Sequence, residues 1–160
     1  MSFLPCDFAV PERVEGPGFH LRSITVHDLA RDYDAVMSSR SHLWSRFGAI
    51  WGWPPADLSI TQDLVDLGWH QKEFQLRRSF NYAVMAPDES RLLGCVYIDP
   101  PDDAGVDAEV WFWGRQDELA HGLELRLGRF VTAWLAQAWP FRQVLLNGQR
   151  LAMAAAPFDP

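Results

Sequence analysis

A chain of 160 residues with 21 acidic and 14 basic side chains carries a formal net charge of −7, which argues against nucleic acid or an anionic membrane as its main partner. Its 48% hydrophobic content excludes a disordered chain and suits one domain, able to bury roughly 70% of its unfolded surface. Cys6 and Cys95 are too few and too far apart for a disulfide framework or a zinc site. No cationic start with an apolar run follows Met1, and no window approaches a membrane-spanning length, so the expected compartment is the cytoplasm.

In chain order, residues 1–18 are punctuated by Pro and Gly and read as an irregular arm. Phe19 to Thr25 alternates and reads as a first or edge strand. Thr25 and Asp28 then have near capping-box spacing, opening a helix to about Arg40 that carries Leu29, Tyr33, Val36 and Met37 on one face. Ser41 to Pro55 packs Trp44, Phe47, Trp51 and Trp53 among Gly48 and Gly52. A second helix begins at Ser59, with Ile60, Leu64, Leu67 and Phe74 as its stripe, and reaches about Arg78.

Three strands follow. Ser79 to Met85 alternates, Leu92 to Asp99 is a nearly continuous apolar run of the kind covered on both faces, and Ala108 to Gly114 resumes strand composition. Ala86-Pro87-Asp88-Glu89-Ser90 is turn chemistry, and Asp99 to Asp107 cannot be a central strand with two prolines in it. Short connections make the three an antiparallel meander. Leu119, Leu123, Leu127, Phe130, Val131, Trp134, Leu135 and Ala138 form a sustained helical stripe, with Asp117 as N-cap and Pro140 as stop. Gln143 to Leu146 is a last strand, parallel to its predecessor because a helix crosses between them. Leu151 to Ala156 has the composition of a helical turn within a tail over 148–160. The predicted order is β-α-α-β-β-β-α-β, an α+β domain over 19–147 with a mixed, mostly antiparallel sheet.

Nucleophile elbows, phosphate loops, dinucleotide fingerprints and paired metal-binding histidines are missing. The five histidines are scattered, and Asp99, Asp102, Asp103 and Asp107 do not match a calcium loop, so no metal is expected and a solvated acidic turn is. Glu109 shares a strand face with Trp111 and Trp113; in a cleft it is placed to act as a general base, and otherwise to pair with Arg22 or Lys72. Tyr97 and Asp99 lie on one face of the adjoining strand and either complete such a site or simply pack. Trp44, Phe47, Trp51 and Trp53 suit a pocket for an apolar or cationic group, packing between helices and sheet, or an interface. His70 is a candidate acid–base group or a surface histidine. Cys95 reads as a buried thiol.

The element order, the capped helix after Phe19-His-Leu-Arg-Ser-Ile-Thr, and the meander followed by a helix and a parallel strand resemble the GCN5-related N-acetyltransferases. The resemblance covers Phe19 to Asn147. It implies acetyl-CoA as co-substrate, lying where the fourth family strand splays from the fifth. Its pyrophosphate would be held by the N–H groups of a Q/R-x-x-G-x-G/A turn at a helix start. The matching stretch here is Leu119-Ala120-His121-Gly122-Leu123-Glu124, in which only Gly122 agrees. No tyrosine follows Tyr97 to protonate a departing thiolate. Glu109 does stand on the strand where the family often places its base.

Carried over residue by residue, the resemblance implies direct transfer to a small-molecule or peptide amine. Glu109 would be the base with Tyr97 beside it, an N–H of the Trp111–Trp113 strand would meet the oxyanion, and Gly122 would sit at the cofactor. Trp44, Trp51, Trp53 and His70 would contact the acceptor. The alternative is a catalytically degenerate member of the fold that binds a small aromatic or cationic ligand, or a protein partner, through its tryptophan-rich region. A homodimer in which a second copy covers an open C-terminal strand edge is also expected.

Overall fold

Pro17 fixes one corner of a tight turn, and Gly18, at φ 82°, takes the left-handed position after it. The turn folds β1 (Arg13–Gly16) onto β2 (Phe19–Ser23) as an antiparallel hairpin. This corrects the irregular arm expected over 1–18. Strand β1 lies at the sheet edge with Arg13 and Glu15 exposed and paired to each other at 2.8 Å, so it lacks an apolar signature.

The computed structural model describes residues 3–154. Thr25 and Asp28 make the expected capping box, the Thr25 side chain accepting from the His27 N–H and the Asp28 carboxylate from the Thr25 N–H. Helix α1 (Leu29–Ser38) gives way at once to α2 (Arg40–Trp51), which the sequence reading treated as an aromatic stretch without a helix. Gly48 belongs in that helix because the Trp44 ring lies across it; a Cβ there would stand 2.7 Å from the ring. Gly52, at φ 61°, ends α2.

Helix α3 (Ile60–Gln75) starts at Ser59, whose hydroxyl accepts from the Gln62 N–H. Leu67 and Phe74 of the expected stripe do face the core, but Ile60 and Leu64 are exposed, and Asp63 and Glu73 are buried beside Leu67.

Strands β3 (Phe80–Met85), β4 (Leu92–Asp99) and β5 (Ala108–Gly114) form the predicted antiparallel meander. The acidic connection between β4 and β5 is less free than a solvated turn. Asp103 pairs with Arg150 at 2.6 Å, and Asp107 accepts from the N–H groups of Arg142 and Gln143.

A 3₁₀ turn over Gln116–His121 precedes α4 (Leu123–Ala138), so the helix starts later than predicted and Asp117 is not its cap. Gly122, at φ 74°, separates the two, since a left-handed residue cannot continue an α-helix. Trp139 is extended before Pro140, as the predicted stop requires.

Strand β6 (Gln143–Leu146) runs parallel to β5, as predicted, and β7 (Gln149–Ala152) returns antiparallel to β6. Residues 151 and 152 are therefore strand, not a helical turn; residues 155–160 of the expected tail lie outside the described residues. The β6 edge on which a homodimer was expected is covered by this hairpin.

One sheet runs β1-β2-β3-β4-β5-β6-β7. On one face Ala83, Met85, Cys95 and Trp113 pack against Val36, Leu43, Phe47 and Leu67 of the first three helices. On the other, Leu21, Tyr82, Val96, Val110 and Phe112 pack against Leu123, Leu127, Val131 and Trp134 of α4. Strand β4 supplies both cores, which explains its unbroken apolar run. No helix among the described residues is long and apolar enough to cross a membrane.

Candidate functional site

β5 and β6 pair only at Ala108–Val144, Glu109–Leu145 and Val110–Leu146, then diverge. Beyond that point the N–H groups of Phe112 and Gly114 face the opening, because alternate residues of β5 are bound to β4. Neither is free. Phe112 donates to Asn147 Oδ1 at 3.0 Å and Gly114 to Glu124 Oε1 at 3.1 Å.

Glu124 also accepts from Arg46 at 2.9 Å and lies 2.6 Å from His42 Nε2. Its carboxyl is held below the usual range. Burial, the largest influence, raises it, but the His42 and Gly114 bonds and the Arg46 charge more than offset that. Gly114 permits the seat, since a Cβ there would stand 3.1 Å from Glu124 Cγ.

The connection from β5 to α4 is equally committed. Buried Arg115 reaches Asp34 at 2.8 Å, Asp117 at 3.1 Å and Ser38 at 3.2 Å. The Gln116 N–H donates to Ser39 Oγ at 2.9 Å, and the Gly122 N–H to the Leu119 carbonyl at 3.0 Å. Behind the opening, an apolar groove of about 640 Å³ runs between α4 and the β6–β7 hairpin, past Phe112, Gly128, Leu146 and Met153.

The opposite face holds the aromatic residues. Trp51 stacks on Phe47 at 4.5 Å and sets its edge on Trp111 at 5.5 Å and Tyr97 at 5.9 Å. Trp53 lies against Phe47 and Trp113. Tyr97 accepts a bond from Trp113 Nε1 at 2.9 Å, and burial, with Cys95 adding to it, pushes its hydroxyl well up. His70 sits 5.9 Å from the Tyr97 ring.

Trp44 is apart from these. It lies on the exposed side of α2 under the Arg40 guanidinium. Glu109 is beside Asp99 in register, and among the described residues its side chain makes no hydrogen bond or ion pair; Arg22 is taken by Asp28 and Glu89 instead. Asp99 is pushed up by burial, with the Ser79 bond opposing and the Glu109 charge adding to it.

Next to the aromatic cluster, α1, α3 and β3 enclose a cavity of about 220 Å³. Asp32 comes from α1, Asp63, Asp66, Trp69 and His70 from α3, and Asn81 from β3, with Trp53 at one side. Asp32 Oδ1 accepts from buried Cys95 Sγ at 3.8 Å. Asp63 Oδ2 and Asn81 Oδ1 are buried and accept from no donor among the described residues. Burial and the neighbouring Asp63 push the Asp32 carboxyl well up. Asp63 is raised to about 6, chiefly by burial and further by Asp66, against a bond shared with Asp32. His70 is lowered by burial, with Asp66 opposing.

The structure thus brings together Trp51, Trp53, Trp111, Trp113, Tyr97 and His70, and leaves Trp44 and Gly122 elsewhere. Asp32, Asp63, Asp66, Trp69 and Asn81 were missed. Their signal was a polar residue in an apolar pattern. Asp32 stands three residues after Leu29, Asp63 four before Leu67, and Asn81 alternates with Ala83 and Met85.

No protein-family model and no curated protein matches the chain. Solved structures do. A ribosomal-protein-S5-alanine acetyltransferase from Vibrio fischeri aligns with a TM-score of 0.64 at 15% identity, over 84% of this chain and 72% of that one. A ribosomal L7/L12 α-N-protein acetyltransferase in complex with coenzyme A gives 0.65 at 14%, over 84% and 73%. The microcin C7 self-immunity acetyltransferase in complex with acetyl-CoA and AMP gives 0.65 at 10%, over 86% and 73%.

The chain has the fold of the GCN5-related N-acetyltransferases.

In this fold the splay of β5 from β6 is where the resemblance seats acetyl-CoA, and the residues present do not fit that group. Both N–H groups of the opening are bound to side chains, the Gly122 N–H is turned to Leu119, and Glu124 puts a carboxylate where a pyrophosphate is implied. Of the implied motif only Gly122 keeps its form, in the left-handed turn. Among the described residues, no group of three or more His, Cys, Asp or Glu side chains is placed to hold a metal ion.

Proposed function

We propose that this chain is a ligand-binding protein on an acetyltransferase fold, with the cofactor cleft closed by its own side chains and the ligand taken on the aromatic face of the first three helices. The observation that carries this reading is the seating of Glu124, whose carboxylate binds Gly114, Arg46 and His42 at once. An anion arriving there would meet a like charge and would have to displace three bonds. The aromatic face has no such internal closure, since Trp51 is 42% and Trp69 59% exposed.

Acetyl transfer to a small-molecule or peptide amine is the competing reading. The apolar groove behind Phe112 and the acetyltransferase activities of the similar structures favour it. Thermal unfolding with acetyl-CoA separates the two. A cofactor at about a hundred times its Kd adds roughly 2.7 kcal/mol, a shift on the order of 5–10 °C for a domain of this size. The closed cleft predicts no shift at about 1 mM acetyl-CoA or CoA, the upper end of the usual KM range. A shift of several degrees overturns it and makes acceptor screening the next step.

A further inference from the structure

Helix α3 ends in a Schellman turn, with the Arg77 N–H donating to the Phe74 carbonyl and the Arg78 N–H to the Glu73 carbonyl, each at 3.0 Å. Such a turn needs one left-handed residue, usually glycine, yet Arg77 takes the place at φ 57°. A side chain kept at that cost in backbone strain points to a use for it. The Arg77 guanidinium donates to the Pro5 carbonyl at 2.9 Å, and the residue lines a cavity of about 580 Å³ with Phe3, Glu73, Leu76, Arg78 and Pro100. Phe3, stacked on Phe80 and Phe141, gives that cavity a fixed apolar wall.

The turn also folds Arg78 back onto Glu73, and the pair they make is incomplete. Glu73 is 8% exposed, and its Oε1 accepts no hydrogen bond among the described residues. Arg78 Nη1 stands 3.8 Å away, where the charges attract but no hydrogen bond forms. The Arg78 side chain is 65% exposed, so it can turn outward without unpacking the core. A buried acceptor and an unspent bidentate donor thus lie side by side against an apolar wall, and native structures rarely leave such an acceptor unmet.

Single charges fail there. An alkylammonium ion would serve Glu73 but would face Arg77 and Arg78, and a carboxylate or phosphate would serve Arg78 but would come against Glu73. A neutral apolar molecule would leave the polar groups covered and without partners. An α-amino acid meets every requirement, since one carbon carries an ammonium with three donors, a carboxylate for the arginine fork and a side chain for the apolar wall. A cavity of about 580 Å³ has room for it.

We propose that the pocket at the C-terminal end of α3 binds the zwitterion of an apolar α-amino acid, with its ammonium on Glu73, its carboxylate on Arg78 and its side chain against Phe3 and Leu76. The site shares no residue with the β5–β6 opening or with the aromatic cluster. Acetyl-CoA binding would therefore overturn the closed cleft and leave this pocket standing.

The probe is L-leucine, titrated calorimetrically into the full chain, with 3-methylbutylammonium (leucine without its carboxylate) and 4-methylpentanoate (leucine without its ammonium) as controls. The expected result is saturable binding at one per chain, weaker by at least about tenfold for each control and in Glu73→Gln. Arg78→Ala removes an exposed side chain, so it should fold as the parent does and weaken binding about tenfold. It carries the test if Glu73→Gln fails to fold. Amide shifts in nuclear magnetic resonance spectra should cluster at Leu76–Phe80, which separates this pocket from leucine bound on the aromatic face. No saturable binding at about 20 mM, equal affinity for either control or in folded Arg78→Ala protein, or shifts confined to the aromatic face overturns the proposal.

Discussion

Two regions of the sheet treat their polar atoms in opposite ways. At the β5–β6 opening each N–H is met by a side chain of the chain itself: Phe112 by Asn147, Gly114 by Glu124. In the α1–α3 pocket, Asp63 Oδ2 and Asn81 Oδ1 accept from no N–H or hydroxyl among the described residues, and the Asp32 and Asp63 carboxyl groups crowd together with a bond shared between them. The carboxyl groups record this: Glu124 is held down by its donors, whereas Asp63 is pushed up to about 6 chiefly by burial.

The largest effect that comparison predicts is at Glu124. Glu124→Ala strands the Gly114 N–H and leaves Arg46 and His42 without their shared acceptor, which should cost about 2–3 kcal/mol at neutral pH. The midpoint of urea unfolding reads it directly. Because the folded pKa is depressed, this stabilisation is present above the unfolded value of about 4.5 and is lost as pH falls through the folded one. The difference between parent and variant should therefore shrink below about pH 4. A variant as stable as the parent at pH 7 would show that the seating of Glu124 is incidental, and the closed cleft would lose its main support.

Asp63→Asn should act in the opposite direction. Between the unfolded value near 3.8 and the folded value of about 6, the folded chain holds a proton that the unfolded chain has lost. The contribution is thus fully present below about pH 4 and is lost as pH rises through about 6. An amide is neutral throughout, so the variant should be more stable than the parent by about 1–2 kcal/mol at pH 8 and match it near pH 4. A gain in stability at pH 8 would show that the buried carboxyl is held at a structural cost. Denaturant midpoints across that pH range decide it, and destabilisation at pH 8 would mean the pair is structural.

The sheet was legible because its strands carry their burial in sequence. The alternation of β3, the apolar run of β4 and the stripe Leu123, Leu127, Val131, Trp134 each record a packed face. Helix α2 was not legible, because Gly48 and Gly52 suggest turns. Helix α3 was read only in part: Leu67 and Phe74 face the core as expected, but Asp63 takes a buried position while Ile60 and Leu64 face out. The missed pocket has a related cause: Asp32, Asp63 and Asn81 are polar residues at core positions, which an apolar stripe does not pick out. Trp51, Trp53, Tyr97 and His70 were visible as chemistry-bearing types, but their partners could be found only through the way α1 and α3 meet over β3. The resemblance in element order was enough to anticipate the fold, and Glu124 in place of the implied Gly or Ala already told against a pyrophosphate there.

Asn147 should show the smallest effect, and it tests whether the closure of the cleft is local or shared. Its side chain accepts from Phe112 while its own N–H donates to the Val110 carbonyl at 2.9 Å, so the residue after β6 is bonded twice to β5 where the strands diverge. Its φ of 47° is left-handed, where Asn is tolerated and Ala is not. Asn147→Gly therefore isolates the side-chain bond without backbone strain, and should cost about 1 kcal/mol. Asn147→Ala should cost roughly 1–2 kcal/mol more, the penalty of a Cβ in that region. Amide hydrogen exchange supplies the sharper readout, because the Phe112 N–H should lose protection in Asn147→Gly while the Gly114 N–H, still held by Glu124, keeps it. If both amides lose protection together, the opening of β5 from β6 is one cooperative motion, and a cofactor that met either group could unlock the whole cleft.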